Sequence, residues 1–185
     1  MRVIETGLQG CVVIEPRVFE DDRGYFFEAF NLDKLQPHGI KPLFVQGNLS
    51  RSRRGVLRGL HYQWPGPQGK YVSVVEGEVW DVAVDVRRGS PTFGRWTAAV
   101  LSAGNKRHLW IAEGYAHGFV VLSEHAVLSY LCTAPYNAAA DAAIRWDDPD
   151  LAIDWPIASP DLSQKDAAAP FLRDIEPGRL PTLLP

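Results

Sequence analysis

The sequence predicts a mainly β protein, a sandwich or barrel with few and short helices. Three observations carry this expectation. Short runs of β-branched and aromatic residues alternate with Gly, Pro and Asp through most of the 185 residues, the rhythm of strands divided by turns. Hydrophobic residues make up 46% of the chain and include six Trp, six Tyr and eight Phe. That is enough for a substantial core and rich in side chains that favour strands and concave pockets. Helical periodicity is nearly absent.

In chain order, strands are expected over residues 11–14, 25–30, 43–46, 56–62, 71–75, 78–86, 96–101, 106–111, 118–122 and 126–132. The clearest is 78–86. There Trp80, Val82, Val84 and Val86 fall on one face, and Val79, Asp81, Ala83 and Asp85 on the other. Arg87-Arg88-Gly89-Ser90-Pro91 ends it in a turn. One short helix is expected over 32–36, stopped by Pro37 and Gly39. From Trp146 the chain becomes Asp- and Pro-rich, which predicts an extended tail with short helical turns. The tail is expected to pack on the body of a single domain spanning 1–185.

Lys and Arg number 19 and Asp and Glu 22, a net charge of -3. That balance lacks the basic stripe a nucleic-acid binder needs. The two cysteines, Cys11 and Cys132, lie far apart without C-x-x-C spacing, so buried thiols are expected rather than a disulfide framework or a zinc site. Residues 1–5 have no apolar signal-peptide core, and no apolar run approaches the roughly 20 residues a spanning helix needs. The expectation is a cytoplasmic protein with no membrane or nucleic-acid partner.

His61, in Arg58-Gly59-Leu60-His61-Tyr62, suits a general base near neutral pH. Arg58 and His61 are three apart, so a regular strand sends them to opposite faces unless Gly59 permits a bulge. His117 stands where a Gly-rich turn enters a strand. Two isolated histidines without H-x-H or carboxylate spacing make a poor metal set, so no metal is expected. Arg23, Arg51, Arg53, Arg54, Arg58 and Lys70 suit a phosphate, although Ser50-Arg51-Ser52-Arg53-Arg54 has the composition of a solvated loop. Lys70 opens a strand, where it can steady a developing oxyanion. The phenol of Tyr130, with an ordinary pKa near 10, can donate a proton. So can that of Tyr136. Asp166 can orient His61 if the tail folds back.

The ordered segments resemble one family, the dTDP-4-dehydrorhamnose 3,5-epimerases, cupin-like enzymes of deoxysugar synthesis. The matching stretches are residues 22–28 (DRGYFFE), 46–50 (QGNLS), 55–61 (GVLRGLH), 77–85 (GEVWDVAVD), 88–94 (RGSPTFG), 116–119 (AHGF) and 154–156 (DWP). Each alone is weak. Their order along nearly the whole chain is specific.

The resemblance implies a jelly-roll β-sandwich, a homodimer, no cofactor and no metal. It implies epimerisation of dTDP-4-dehydro-6-deoxy-D-glucose at carbons 3 and 5, on the path to dTDP-L-rhamnose. By family position His61 is the base with Asp166 as its partner, Tyr130 the acid, and Lys70 the group at the ketone oxygen. Arg23, Phe26, Glu28, Gln46, Asn48, Arg58, His117, Tyr136, Asp141 and Lys165 fall at substrate-contacting positions. Arg23 and Glu28 serve the partner subunit's site. Asp141 stands where many relatives carry Glu, in the Ala-rich segment 138–143. Three alternatives stay open from sequence: a single-centre epimerase of the same mould, a non-catalytic sugar-nucleotide-binding module, and a metal-dependent cupin oxygenase.

Overall fold

The structure is a computed structural model and describes residues 1–183. It is a mainly β jelly-roll sandwich in which every pairing between strands is antiparallel. One sheet has six strands, in the order β1 (Arg2–Glu5), β2 (Cys11–Glu15), β10 (His108–Ile111), β7 (Lys70–Glu76), β12 (His125–Cys132) and β5 (Gln46–Arg53). The facing sheet has five: β13 (Asp141–Ala143), β6 (Leu57–Gln63), β11 (Tyr115–Val121), β8 (Glu78–Asp85) and β9 (Trp96–Ser102). A two-stranded ribbon, β3 (Val18–Asp21) and β4 (Gly24–Phe27), stands apart from both.

The core lies between the sheets. Val72, Val74, Leu109, Ile111 and Leu128 of the larger sheet meet Val79, Ala83, Leu101, Phe119 and Val121 of the smaller. A second cluster covers the outer face of the five-stranded sheet, where Val82, Val84 and Val120 pack on Leu151, Trp155, Leu172 and Leu180 of the tail. The tail from Trp146 is therefore bound down by apolar burial, and Trp96 Nε1 donates to the Leu151 carbonyl at 3.0 Å. Both faces of β8 are consequently buried. Its alternation marks two cores rather than a dry side and a wet one. The helix α1 (Leu32–Leu35) is capped by Asn31 and drops Leu35 onto Val12, Ile14 and Tyr71 on the outer face of the six-stranded sheet.

Several expected boundaries move. The strand expected over 43–46 begins only at Gln46 and runs on to Arg53, so Ser50 to Arg53 is strand rather than solvated loop. The reason is pairing: β5 is an edge strand zipped along β12 from Gln46↔Cys132 to His125↔Arg53. Its Arg51 and Arg53 point outward while Ser52 is buried, a common way of blunting a sheet edge. The strand expected over 25–30 stops at Phe27, where its ribbon partner ends. That over 106–111 starts at His108, and that over 118–122 begins earlier, at Tyr115. The strands β1, β3 and β13 carry too little apolar pattern to announce themselves.

Candidate active site

A bulge in β6 builds one side of the site. Along β11, His117 pairs with His61 and Phe119 with Arg58, with the register shifting between them. Two steps along β11 thus match three along β6, so Arg58 and His61 share the inward face. Gly59 absorbs the extra residue at φ +127°, and a Cβ there would lie 2.5 Å from Gly118 Cα. Only glycine fits both demands.

His61 is oriented from the tail. Its ring nitrogen Nε2 lies 2.6 Å from Asp166 Oδ1, the side chains being 32% and 4% exposed. Asp166 sits in the first turn of α2 (Gln164–Ala167), and its backbone N–H donates to the capping hydroxyl of Ser163. Burial pushes the Asp166 carboxyl up, but hydrogen bonds from His61, Ser163 and the Gly59 backbone outweigh it and hold the group below the usual carboxylate range. An ionised carboxylate can only accept. The imidazole nitrogen facing it therefore donates, and in the neutral ring the other nitrogen is left as an acceptor.

The facing sheet supplies the other side. Tyr130 on β12 pairs with Asn48 and Val72, and Cys132, two residues on, pairs with Gln46 and Lys70. All these side chains share one face, toward the interior between the sheets. Burial, then the nearby Cys132, raises the Tyr130 phenol, while Arg58 opposes the rise. The phenol is therefore protonated at neutral pH. Burial pulls the Lys70 ammonium down against the pull of Cys132, Asp81 and Asp141. Lys70 makes no ion pair among the described residues. A recessed cation without a paired carboxylate is poised for an incoming anion or oxyanion.

The rim is polar. Arg58 Nε donates to Ser52 Oγ at 3.0 Å, Gln46 Nε2 to Asn48 Oδ1 at 3.0 Å, and Tyr136 OH to Asp141 Oδ2 at 3.1 Å. Lys165 ion-pairs with the same Asp141 carboxylate. Val56, Leu57, Arg58, His61, Lys165 and Asp166 line a recess of about 310 Å³. His117, the cross-strand neighbour of His61, is buried with Nε2 between the two Asp81 oxygens, at 2.9 and 3.0 Å. Among the described residues no three His, Cys, Asp or Glu side chains form a metal-holding group.

The sequence candidates thus divide. His61, Arg58, Lys165 and Asp166 line one recess, His117 pairs beside His61, Lys70, Tyr130, Gln46 and Asn48 share one face of the facing sheet, and Tyr136 and Lys165 both meet Asp141. Arg23, Phe26 and Glu28 do not reach these groups within one chain. Arg23 grips Asp21 at 2.6 Å, Glu28 pairs with Lys34 at 2.7 Å, and Phe26 is 69% exposed on the ribbon. Asp81 and Cys132 were not among the candidates. A carboxylate alternating with valines inside a strand was the available signal for Asp81. Cys132, expected as a buried thiol, stands two residues from Tyr130 in the strand expected over 126–132, and that parity was its signal.

Fold and site define a cupin-like jelly-roll protein with a carboxylate-paired imidazole on one sheet and a buried phenol on the other. A family profile described as dTDP-4-dehydrorhamnose 3,5-epimerase matches residues 5–174. The chain belongs to the dTDP-4-dehydrorhamnose 3,5-epimerase family, and with it to the isomerases. The Salmonella typhimurium enzyme of that name is 50% identical over 175 residues, covering 93% of this chain and 96% of its own length. The structure of the Legionella pneumophila dTDP-6-deoxy-D-glucose-3,5-epimerase in complex with dTDP-4-keto-L-rhamnose superposes with a TM-score of 0.96. It is 49% identical and covers 100% of this chain and 99% of that one. A 3'-monoepimerase from Streptomyces bikiniensis in complex with dTDP-quinovose, 38% identical, superposes with a TM-score of 0.90 over 97% of this chain and 92% of that one.

Proposed function

We propose that the chain inverts carbons 3 and 5 of dTDP-4-dehydro-6-deoxy-D-glucose to give dTDP-4-dehydro-L-rhamnose. The observation that carries this is a carboxylate-oriented imidazole on one sheet and a phenol kept protonated by burial on the facing sheet. Carbons beside a ketone are acidic. His61 removes a proton from one face of the sugar, and the electrons pass to the carbonyl as an enolate. Lys70 stabilises the enolate oxygen. Tyr130 returns a proton from the other face, so the centre inverts. The steps repeat at the second carbon after the ring shifts. The reaction is redox-neutral, with one proton removed and one returned at each carbon.

Arg58, Gln46, Asn48, His117, Tyr136, Asp141 and Lys165 hold the nucleotide sugar. Arg58 and Lys165 supply the cations for the diphosphate. Arg23, Phe26 and Glu28 serve the site of a second subunit in a homodimer. The exposed aromatic ribbon supports that reading, since isolated two-stranded ribbons rarely leave such side chains bare without a partner.

The test is incubation with the 4-keto sugar nucleotide in heavy water. Deuterium is expected at carbons 3 and 5, and neither label is expected with His61→Ala. Undiminished exchange in that variant would remove His61 as the base. A second reading, inversion of one centre only, draws on the fold shared with the 38%-identical monoepimerase. The stereochemistry of the labelled product separates the two.

A further inference from the structure

Lys70 needs a fixed position to meet a ketone oxygen, yet its own ammonium is held by no ion pair among the described residues. It is the first residue of β7 and follows the loop Trp64-Pro65-Gly66-Pro67-Gln68-Gly69. What fixes the start of the strand is therefore what fixes Lys70. The answer lies one residue beyond β12. The Gly69 N–H donates to Thr133 Oγ1 at 2.8 Å, and the Thr133 N–H donates to the Gly69 carbonyl at 3.0 Å. One threonine thus holds both backbone groups of the residue before Lys70.

The Thr133 hydroxyl is oriented in turn. It donates to Glu113 Oε1 at 2.6 Å, so its lone pairs are left for the Gly69 N–H. Glu113 also packs directly on Gly69, where an added Cβ would lie 3.0 Å from Glu113 Oε1 and 2.9 Å from the Trp110 ring. Gln68 is tied to the same segment, its Nε2 donating to the Ala134 carbonyl at 2.8 Å. These contacts link the β10–β11 turn, the end of β12 and the entry to β7.

We propose that Thr133 and Glu113 are positioning residues for Lys70, a relay that sets where its ammonium stands over the substrate ketone. The inference rests on the reading of Lys70 as the group at the ketone oxygen. The relay touches neither substrate nor reacting atoms. Its effect is on the chemical step, because misplacing a stabilising group by about 1 Å can lower a rate about a hundredfold while binding elsewhere is kept.

Steady-state kinetics and heavy-water exchange on Thr133→Val, Thr133→Ser and Glu113→Gln test it. Thr133→Val is expected to lower kcat at least about tenfold with KM changed less than about threefold, the pattern of a group acting in the transition state. Thr133→Ser, which keeps the hydroxyl, is expected to restore most of kcat. Glu113→Gln keeps an acceptor and is expected to give an intermediate loss, so it decides the matter should Thr133→Val fail to fold. In a Lys70→Met background, adding Thr133→Val is expected to change the residual rate by less than about twofold, since coupled residues are non-additive. Full additivity, or wild-type kcat in Thr133→Val and Glu113→Gln beside an inactive Lys70→Met, overturns the relay alone. Wild-type exchange in Lys70→Met overturns the reading of Lys70, and the relay with it.

Discussion

Asp166 stands 2.6 Å from the imidazole of His61 across 105 residues of sequence. The contact exists because the tail crosses the outer face of the five-stranded sheet and returns at α2 to the cleft. Asp166→Asn keeps the size of the side chain but removes the charge that fixes the proton on the near nitrogen. The amide can also present an N–H to the ring. A fall in kcat of about 10²–10³-fold is expected, within the range of general acid–base catalysis, measured by product formation. A loss of less than about threefold would mean that the carboxylate does not orient a base. The depressed Asp166 carboxyl also makes a stability contribution. It is present above the unfolded carboxylate value near 3.9 and is lost as pH falls through the lower folded value.

Tyr130 and Tyr136 separate by environment. Tyr130 packs against the interior core, whereas Tyr136 is 58% exposed and donates to Asp141 on the rim. Tyr130→Phe is expected to leave proton removal by His61 largely intact while blocking return from the opposite face. Substrate recovered from heavy water should then carry deuterium with its original configuration, and inverted product should fall at least about a hundredfold. Tyr136→Phe is expected to stay within about threefold of wild type in kcat, because it removes one exposed hydrogen bond. The opposite pattern would make Tyr136 the acid.

Gly59→Ala tests the bulge itself. The new Cβ would meet backbone at 2.5 Å from Gly118 Cα and 2.8 Å from the His117 carbonyl oxygen, and neither atom can swing away as a side chain can. A loss of about 2–4 kcal/mol is expected from overpacking and strain at positive φ, read from the denaturant midpoint. An unchanged midpoint would show that the inner face of β6 tolerates another geometry.

The same bulge marks the limit of what sequence can say. The strand over 78–86 was legible because its valines alternate without interruption. The relation of Arg58 to His61 was not, since it depends on Gly59 meeting Gly118 of a strand far along the chain. The strand at Ser50 to Arg53 looked like a loop because its polarity suits an edge, and edge status comes only from the assembled sheet. Asp141–Ala143 gave no strand signal at all. It pairs with β6 from Asp141↔Gln63 to Ala143↔His61, a role set by its partner rather than its composition. Lys70 was legible as a cation opening a strand, but its lack of a paired carboxylate among the described residues is a tertiary fact.

The proposed sharing of the ribbon between subunits predicts complementation. Phe26→Ala and His61→Ala are each expected to be nearly inactive alone, the first without loss of fold, because Phe26 lies exposed. In a mixed dimer one site combines the intact His61 of one subunit with the intact ribbon of the other. Unfolding and refolding the two variants together should recover about a quarter of wild-type activity, from statistical pairing in a two-fold dimer. Recovery absent despite demonstrated subunit exchange would confine the ribbon to its own chain.

His108 predicts an acid-sensitive window distinct from that of Asp166. It is buried on β10 and stacks on Tyr71 at 5.2 Å. Its Nδ1 lies 2.7 Å from Ser73 Oγ, and its Nε2 has no hydrogen-bond partner among the described residues. Burial pushes the imidazole down to about 4, against about 6.5 in an unfolded chain. Between those values the unfolded chain takes up a proton that the folded chain refuses. The stabilising contribution is therefore complete above about pH 6.5 and declines as pH falls toward 4. At 1.36 kcal/mol per unit, the loss across the whole window is at most about 3.4 kcal/mol, and most of it falls above pH 4.5. Urea unfolding of the wild type at pH 7.5 and pH 4.5 should show that drop, and His108→Gln, with nothing to titrate there, should lose most of it. An equal pH slope in the variant would place the acid sensitivity elsewhere in the chain.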